Sequence, residues 1–168
     1  MSEPREKRYA AEYMAENFAA GAYATNIPLG EIPRELVDMH GPGQAAAIYR
    51  PSRRRIDAVA WSPGKYLLIE FKIRDPFEGL SRLPTYLRLA RRTDDLPGYN
   101  GQPFEMWLVV PFALEWIRHD AGDAGIVLKE YWREWIAAYI EQYQGYFTKE
   151  YQARRAEKKR IRQALGVE

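Results

Sequence analysis

Between Lys65 and Arg74 the chain reads KYLLIEFKIR, in which Leu67, Ile69, Phe71 and Ile73 alternate with Leu68, Glu70 and Lys72. Alternation of large apolar residues at period two predicts a strand, and this is the best strand pattern in the sequence. A second lies at Arg55–Trp61, joined to the first by the turn signal Ser62-Pro63-Gly64-Lys65. Ala45–Tyr49 is a weaker strand pattern, and Phe104–Val110 has the continuous apolar character of a buried strand. Elsewhere the period changes. Ala11, Met14, Ala15 and Phe18 recur at helical spacing within Pro4–Ala20, a segment rich in helix formers and stopped by Gly21. A further helical pattern covers Ser81–Arg92. Residues 26–44 and 94–103 read as loops, the first with a short helix opened by Pro33. After Pro111 the chain is expected to be mostly helix, with Leu128, Trp132, Trp135, Ile136, Tyr139, Ile140 and Tyr143 in one broad apolar stripe. The predicted order is α, β, β, β, α, β followed by a long helical extension, an α/β class with a mixed sheet flanked by helices.

At 168 residues and 46% apolar composition the chain has room for one domain. Its expected organisation is a core at 1–112 with a helical extension, 113–168, packed on it. A net charge of +2 says little about partners, but the cations are unevenly placed. Arg50-Pro51-Ser52-Arg53-Arg54-Arg55 is a basic knot, and the last twenty residues carry seven Lys and Arg. There Arg155, Lys158, Lys159 and Arg162 fall at i, i+3, i+4 and i+7, so that on a helix they share one face. Contact with a phosphate backbone is the functional reading of that face, and a solvated helix the bland one. The aromatic stripe before it suits a packed core or a dimer face, the latter making the chain a homo-oligomer. The absence of cysteine excludes disulfides and thiolate metal sites and fits a reducing cytoplasm. The polar start, MSEPREKR, argues against a signal peptide, and no apolar run approaches the roughly 20 residues of a membrane helix, so a soluble cytoplasmic protein is expected. With His40 and His119 as the only histidines, a multi-histidine metal site is excluded.

The informative charges lie inside the best strand. Glu70 and Lys72 share one of its faces while Ile69, Phe71 and Ile73 share the other. If Ser62 and Lys65 close the Pro-Gly turn, opposed residue numbers sum to 127 and Asp57 faces Glu70. Like charges directly opposite are unfavourable in a sheet, so the pairing makes sense chiefly with a cation between them. Carboxylate oxygens suit magnesium or manganese. Pro-Gly is not the preferred two-residue hairpin turn, and a slip of one residue would turn Asp57 to the opposite face.

An Asp on one strand, a Glu-x-Lys on the next, an acid-bearing helix before them and an αβββαβ order together resemble the PD-(D/E)xK nuclease superfamily. That restriction-endonuclease-like fold includes archaeal Holliday junction resolvases, many restriction enzymes and several phage nucleases. The resemblance covers about residues 5–112: Asp57 matches the first acid, Glu70 and Lys72 match (D/E)xK, and Ile56 stands where the family name has proline. Resolvase-like members carry a glutamate on the first helix; Glu12, within Ala10-Ala11-Glu12, is chosen for it over Glu16. Exonuclease branches carry Gln-x-x-x-Tyr on the helix after the Glu-x-Lys strand. Here that stretch is Arg82-Leu83-Pro84-Thr85-Tyr86, which disfavours that branch, leaves Arg82 for phosphate contact and leaves Tyr86 as a core aromatic. The resemblance implies magnesium held by Asp57, Glu70 and the backbone carbonyl of Phe71, with Glu12 touching a second ion or its waters. It implies that Lys72 orients and helps deprotonate the attacking water and that DNA is cut to leave 5′-phosphates, with endonucleolytic cutting favoured; Arg53, Arg54 and Arg55, entering the Asp57 strand, are placed to hold the backbone without reading bases. The setting expected is the cytoplasm of a bacterium, an archaeon or a phage-infected cell. The alternative is the same fold kept as a DNA-binding or assembly module without cleavage.

Overall fold

Tyr9, Ala10, Tyr13 and Met14 fall at i, i+1, i+4 and i+5 and form the buried stripe of the first helix, α1 (Pro4–Asn17). The expected stripe used Ala11 and Ala15, which are exposed; the apolar face is turned by one position. A computed structural model of the chain describes residues 4–144 and residue 157. It divides into two units, Met1–Tyr131 and Trp132–Glu168.

Strand β1 (Tyr23–Leu29) occupies sequence expected to be loop from residue 26. It pairs only with β2 and is an edge strand, where the missing N–H of Pro28 costs little. Helix α2 (Arg34–His40) follows Pro33 as expected. Residues 45–49 correct the prediction: they are not a strand but the end of α3 (Pro42–Tyr49), which Pro42 opens and three successive alanines favour. After a single 3₁₀ turn come β2 (Arg54–Ser62) and β3 (Lys65–Phe71). Their antiparallel ladder runs from Ser62↔Lys65 to Ala58↔Ile69, the register in which opposed numbers sum to 127.

Helix α4 (Pro76–Ala90) starts five residues before the predicted Ser81, because the Asp75 carboxylate accepts the Glu78 N–H at 3.2 Å and Pro76 provides a preset first turn. Strand β4 (Phe104–Val110) has the predicted bounds and lies parallel to β3. Helix α5 (Glu115–Asp123) then leads to β5 (Ile126–Glu130), parallel to β4. This is the second correction: Leu128 belongs to a strand, not to a helical stripe, and the sheet continues past the expected boundary at residue 112. The second unit contains α6 (Glu134–Gln144), helical as predicted. Arg155, Lys158, Lys159 and Arg162 lie outside the described residues.

The result is an α/β unit with a five-stranded mixed sheet in the order β1-β2-β3-β4-β5. The β3–α4–β4 and β4–α5–β5 crossovers make its parallel half; the β2–β3 hairpin and the β1–β2 pairing, whose strands are connected through α2 and α3, make its antiparallel half. On one face Val59, Tyr66, Leu68 and Leu108 pack with Leu80, Leu83 and Tyr86 of α4 and Ile117 of α5. On the other, Phe71 meets the rings of Tyr9 and Tyr13 edge-on at 6.0 and 5.6 Å. No helix among the described residues is long and apolar enough to cross a membrane.

Candidate active site

The C-terminal end of β3 carries Glu70 and Lys72 to the edge of the parallel half, next to the start of α4. Ligands of open α/β sheets commonly bind outside these carboxyl ends. The β2–β3 ladder stops one step short of Asp57. Instead of a backbone rung, Asp57 Oδ2 accepts the Phe71 N–H at 3.0 Å, and this holds the carboxylate beside Glu70. Lys72 is kept against β4 by its own N–H, which donates to the Val109 carbonyl at 3.0 Å.

Both members of the Glu-x-Lys pair are buried, Glu70 to 2% and Lys72 to 5% exposure. The Lys72 ammonium lies 2.7 Å from Glu78 Oε2, 3.7 Å from Glu70 Oε1 and 3.9 Å from Glu6 Oε2. Arg82 pairs with Glu78 one turn further along α4 and stands 3.8 Å from Glu70 Oε1. The other Glu70 oxygen, Oε2, is buried with no hydrogen-bond partner among the described residues. Gly79 allows this approach: a Cβ there would overlap Leu108 Cδ1 and stand 3.2 Å from Lys72 Cγ.

Burial, and then the neighbouring Asp57 charge, push the Glu70 carboxyl up to about 8 against the opposing pull of Lys72 and Arg82. Burial also raises Asp57, although the Phe71 N–H and the same two cations favour its ionised form. Near neutral pH the pair therefore resists carrying two charges. Burial disfavours the Lys72 cation, but the hydrogen bond to Glu78 and the charges of Glu6 and Glu70 outweigh it and raise its pKa. Glu78 is lowered, chiefly by the bond from Lys72. Lys72 is thus a committed cation and donor in the resting site.

An unpartnered buried carboxylate oxygen beside a second carboxylate is a donor set that fits a hard divalent cation. Among the described residues no three or more His, Cys, Asp or Glu side chains form a ready ligand group. Magnesium binds through one or two carboxylates and keeps several waters, so Asp57, Glu70 and a main-chain carbonyl such as that of Phe71 suffice.

Two assignments are corrected. Glu12 is held by Arg8 at 2.7 Å, and the α1 acid that reaches the site is Glu6. Six residues separate them, about 9 Å along the axis and about 120° around it. Glu6 stands three and seven residues before the buried Tyr9 and Tyr13, a spacing that marks it as inward-facing. The other correction is Arg53, which is buried and forks onto both Asp95 oxygens at 2.9 and 2.7 Å, tying β2 to the loop after α4. It is not available to a phosphate backbone. Arg53→Ala is expected to destabilise the protein by ~1.5–3 kcal/mol in urea unfolding. Arg54 is exposed and Arg55 half-buried, with Arg54 about 10 Å along β2 from Asp57. Arg82 reaches the site, and Tyr86 is buried in the core as predicted. Glu78 was absent from the expected set; the Asp75-Pro76 helix start, three residues before it, is the signal that places it.

A pocket of about 250 Å³ opens beside Asp57, lined by Glu6, Lys7, Ala10, Ala11, Thr25 and Asn26. No family model, curated protein or solved structure matches the chain.

Proposed function

We propose that Met1–Tyr131 is a magnesium-dependent nuclease of the PD-(D/E)xK type, cutting DNA internally to leave 5′-phosphate ends, and that α1 through β4 form a restriction-endonuclease-like core. The observation that carries this is the half-buried Asp57 beside the buried Glu70 on neighbouring strands, with one Glu70 oxygen unpartnered among the described residues and a lysine two residues on. Burying like charges is costly, and a stable core has no need of it. The antiparallel, antiparallel, parallel sequence of pairings from β1 to β4 supports the same reading.

A bound magnesium ion would supply a nucleophile near neutral pH and offset charge building on the phosphate. Asp57 and Glu70 would hold it, with the Phe71 N–H keeping Asp57 in place. Lys72, exchanging Glu78 for substrate, orients the attacking water by hydrogen bonding and neutralises a non-bridging phosphate oxygen. Arg82, half-exposed at the rim, contacts the flanking phosphate. The close Lys72–Glu78 pair favours a second reading, a nuclease-fold DNA-binding protein whose charges are locked in a resting network. Supercoiled, linear, single-stranded and four-way-junction DNA, incubated with and without magnesium, separate the two: the second reading predicts retention without cleavage. Manganese should replace magnesium, whereas calcium should bind without turnover because its longer, looser coordination positions the water poorly. Calcium-supported cleavage at the magnesium rate would count against this mechanism.

A further inference from the structure

Opposite Asp57 on the edge strand stands Asn26, the one non-glycine among the described residues with positive φ, at 56°. Thr25 pairs with Ala58 and Ile27 with Ile56, but the rung between them, Asn26 with Asp57, is missing from the β1–β2 ladder. The β2–β3 ladder also stops at Ala58. The alternation of side chains slips at the same place in both strands. Ile56 and Val59, three residues apart, join one core cluster, although an undisturbed strand would turn them to opposite faces. Thr25 and Asn26 are adjacent yet both exposed. Irregularities of this kind re-aim side chains next to active sites.

We infer that Asn26 is a positioning residue: its left-handed backbone holds the slip that turns the Asp57 carboxylate onto the Phe71 N–H and beside Glu70. Left-handed φ is disfavoured for residues with a Cβ, and Asn tolerates it better than most. A β-branched residue would drive β1 back to regular geometry and restore the missing rung. Asp57 would then be drawn away from Phe71. The consequence for cation binding rests on the proposed function; the consequence for Phe71 does not.

The test compares Asn26→Gly with Asn26→Val, and with Asn26→Ala should the valine variant fail to fold. Hydrogen exchange at the Phe71 amide is read in metal-free protein, and manganese affinity by calorimetry. Glycine adopts the required φ freely, so Asn26→Gly should keep parental Phe71 protection and parental affinity. Asn26→Val should expose the Phe71 amide and weaken manganese binding at least roughly 10-fold, the scale of a lost supporting contact around a metal ligand. A valine or alanine variant matching the parent in both readouts overturns the inference. So does a glycine variant that loses them, since the amide side chain would then be what matters. A parent that binds no manganese sinks the proposed cation site, and the Phe71 amide alone then decides the role of Asn26.

Discussion

Asp57→Ala, Glu70→Ala and Lys72→Ala are each expected to lower DNA cleavage by roughly 10³-fold or more, and the triple variant should be scarcely slower than the worst single one. Groups that act as a unit lose most of their effect when any one is removed. Asp57 and Glu70 share one cation in this account, so deleting either leaves a single carboxylate for an ion that needs both. Lys72 supplies the donor that fixes the water. The three should differ in stability. Removing either acid relieves burial and repulsion, so those variants should remain folded and bind DNA as the parent does. Removing Lys72 leaves Glu78, Glu70 and Glu6 facing one another without the ammonium and should cost stability as well as rate. Glu12→Ala, which deletes the exposed pair with Arg8, should cleave at the parental rate. Parental rates for the acid variants would show the chemistry to lie elsewhere.

The second large effect is on stability without metal. A group whose folded-state pKa is raised contributes stability that is complete below its unfolded value and is lost as pH climbs through the folded value. For Glu70 that window runs from its ordinary 4.5 to about 8. Asp57, also raised, acts in the same direction. Glu78 is lowered and acts oppositely: its contribution is present above 4.5 and is lost as pH falls. The melting temperature of the metal-free protein should therefore decline between about pH 5 and 8, the Glu70 window, and magnesium should restore it by accepting the ionised pair. Glu70→Gln should flatten the decline and exceed the parent by roughly 3–4 kcal/mol at pH 8, the scale of two to three pKa units. Thermal melts of both proteins across this range, with and without chelator, make the comparison. A metal-free parent that grows more stable from pH 5 to 8 would mean that the Asp57–Glu70 pair does not dominate the site.

The clustering of Asp57, Glu70 and Lys72 was legible because a turn of fixed length set the register of β2 on β3, which carries Asp57 to the end of β3, although the last rung is replaced by the bond from the Phe71 N–H. The bounds of β4 were equally plain, since Phe104–Val110 is continuously apolar between polar flanks. Glu6 is hidden in the sequence because Ala11 and Ala15 are too small to declare a face of α1, whose phase is set by Tyr9 and Tyr13. Glu78 is hidden because α4 starts at Asp75-Pro76, ahead of its clear helical pattern. An edge strand tolerates the proline that made 26–29 look like loop, and five residues of β5 are too few to show their own period against an apolar stripe. Arg53 is a different case: its burial depends on Asp95, 42 residues away, and no local pattern reports it. The proximity of Asp57, Glu70 and Lys72 follows from residue types and spacing, whereas Glu6 and Glu78 come from elements whose phase or start no strong local pattern declares.

Nicking of supercoiled DNA, followed side by side for the parent and the Asp57→Ala/Glu70→Ala/Lys72→Ala variant as magnesium is titrated, tests the central claim most directly. The account predicts saturable, magnesium-dependent nicking by the parent, abolished by chelator, with 5′-phosphate ends, and no nicking by the variant at any magnesium concentration. Cleavage that persists in chelator, or that the triple variant performs at the parental rate, would contradict it.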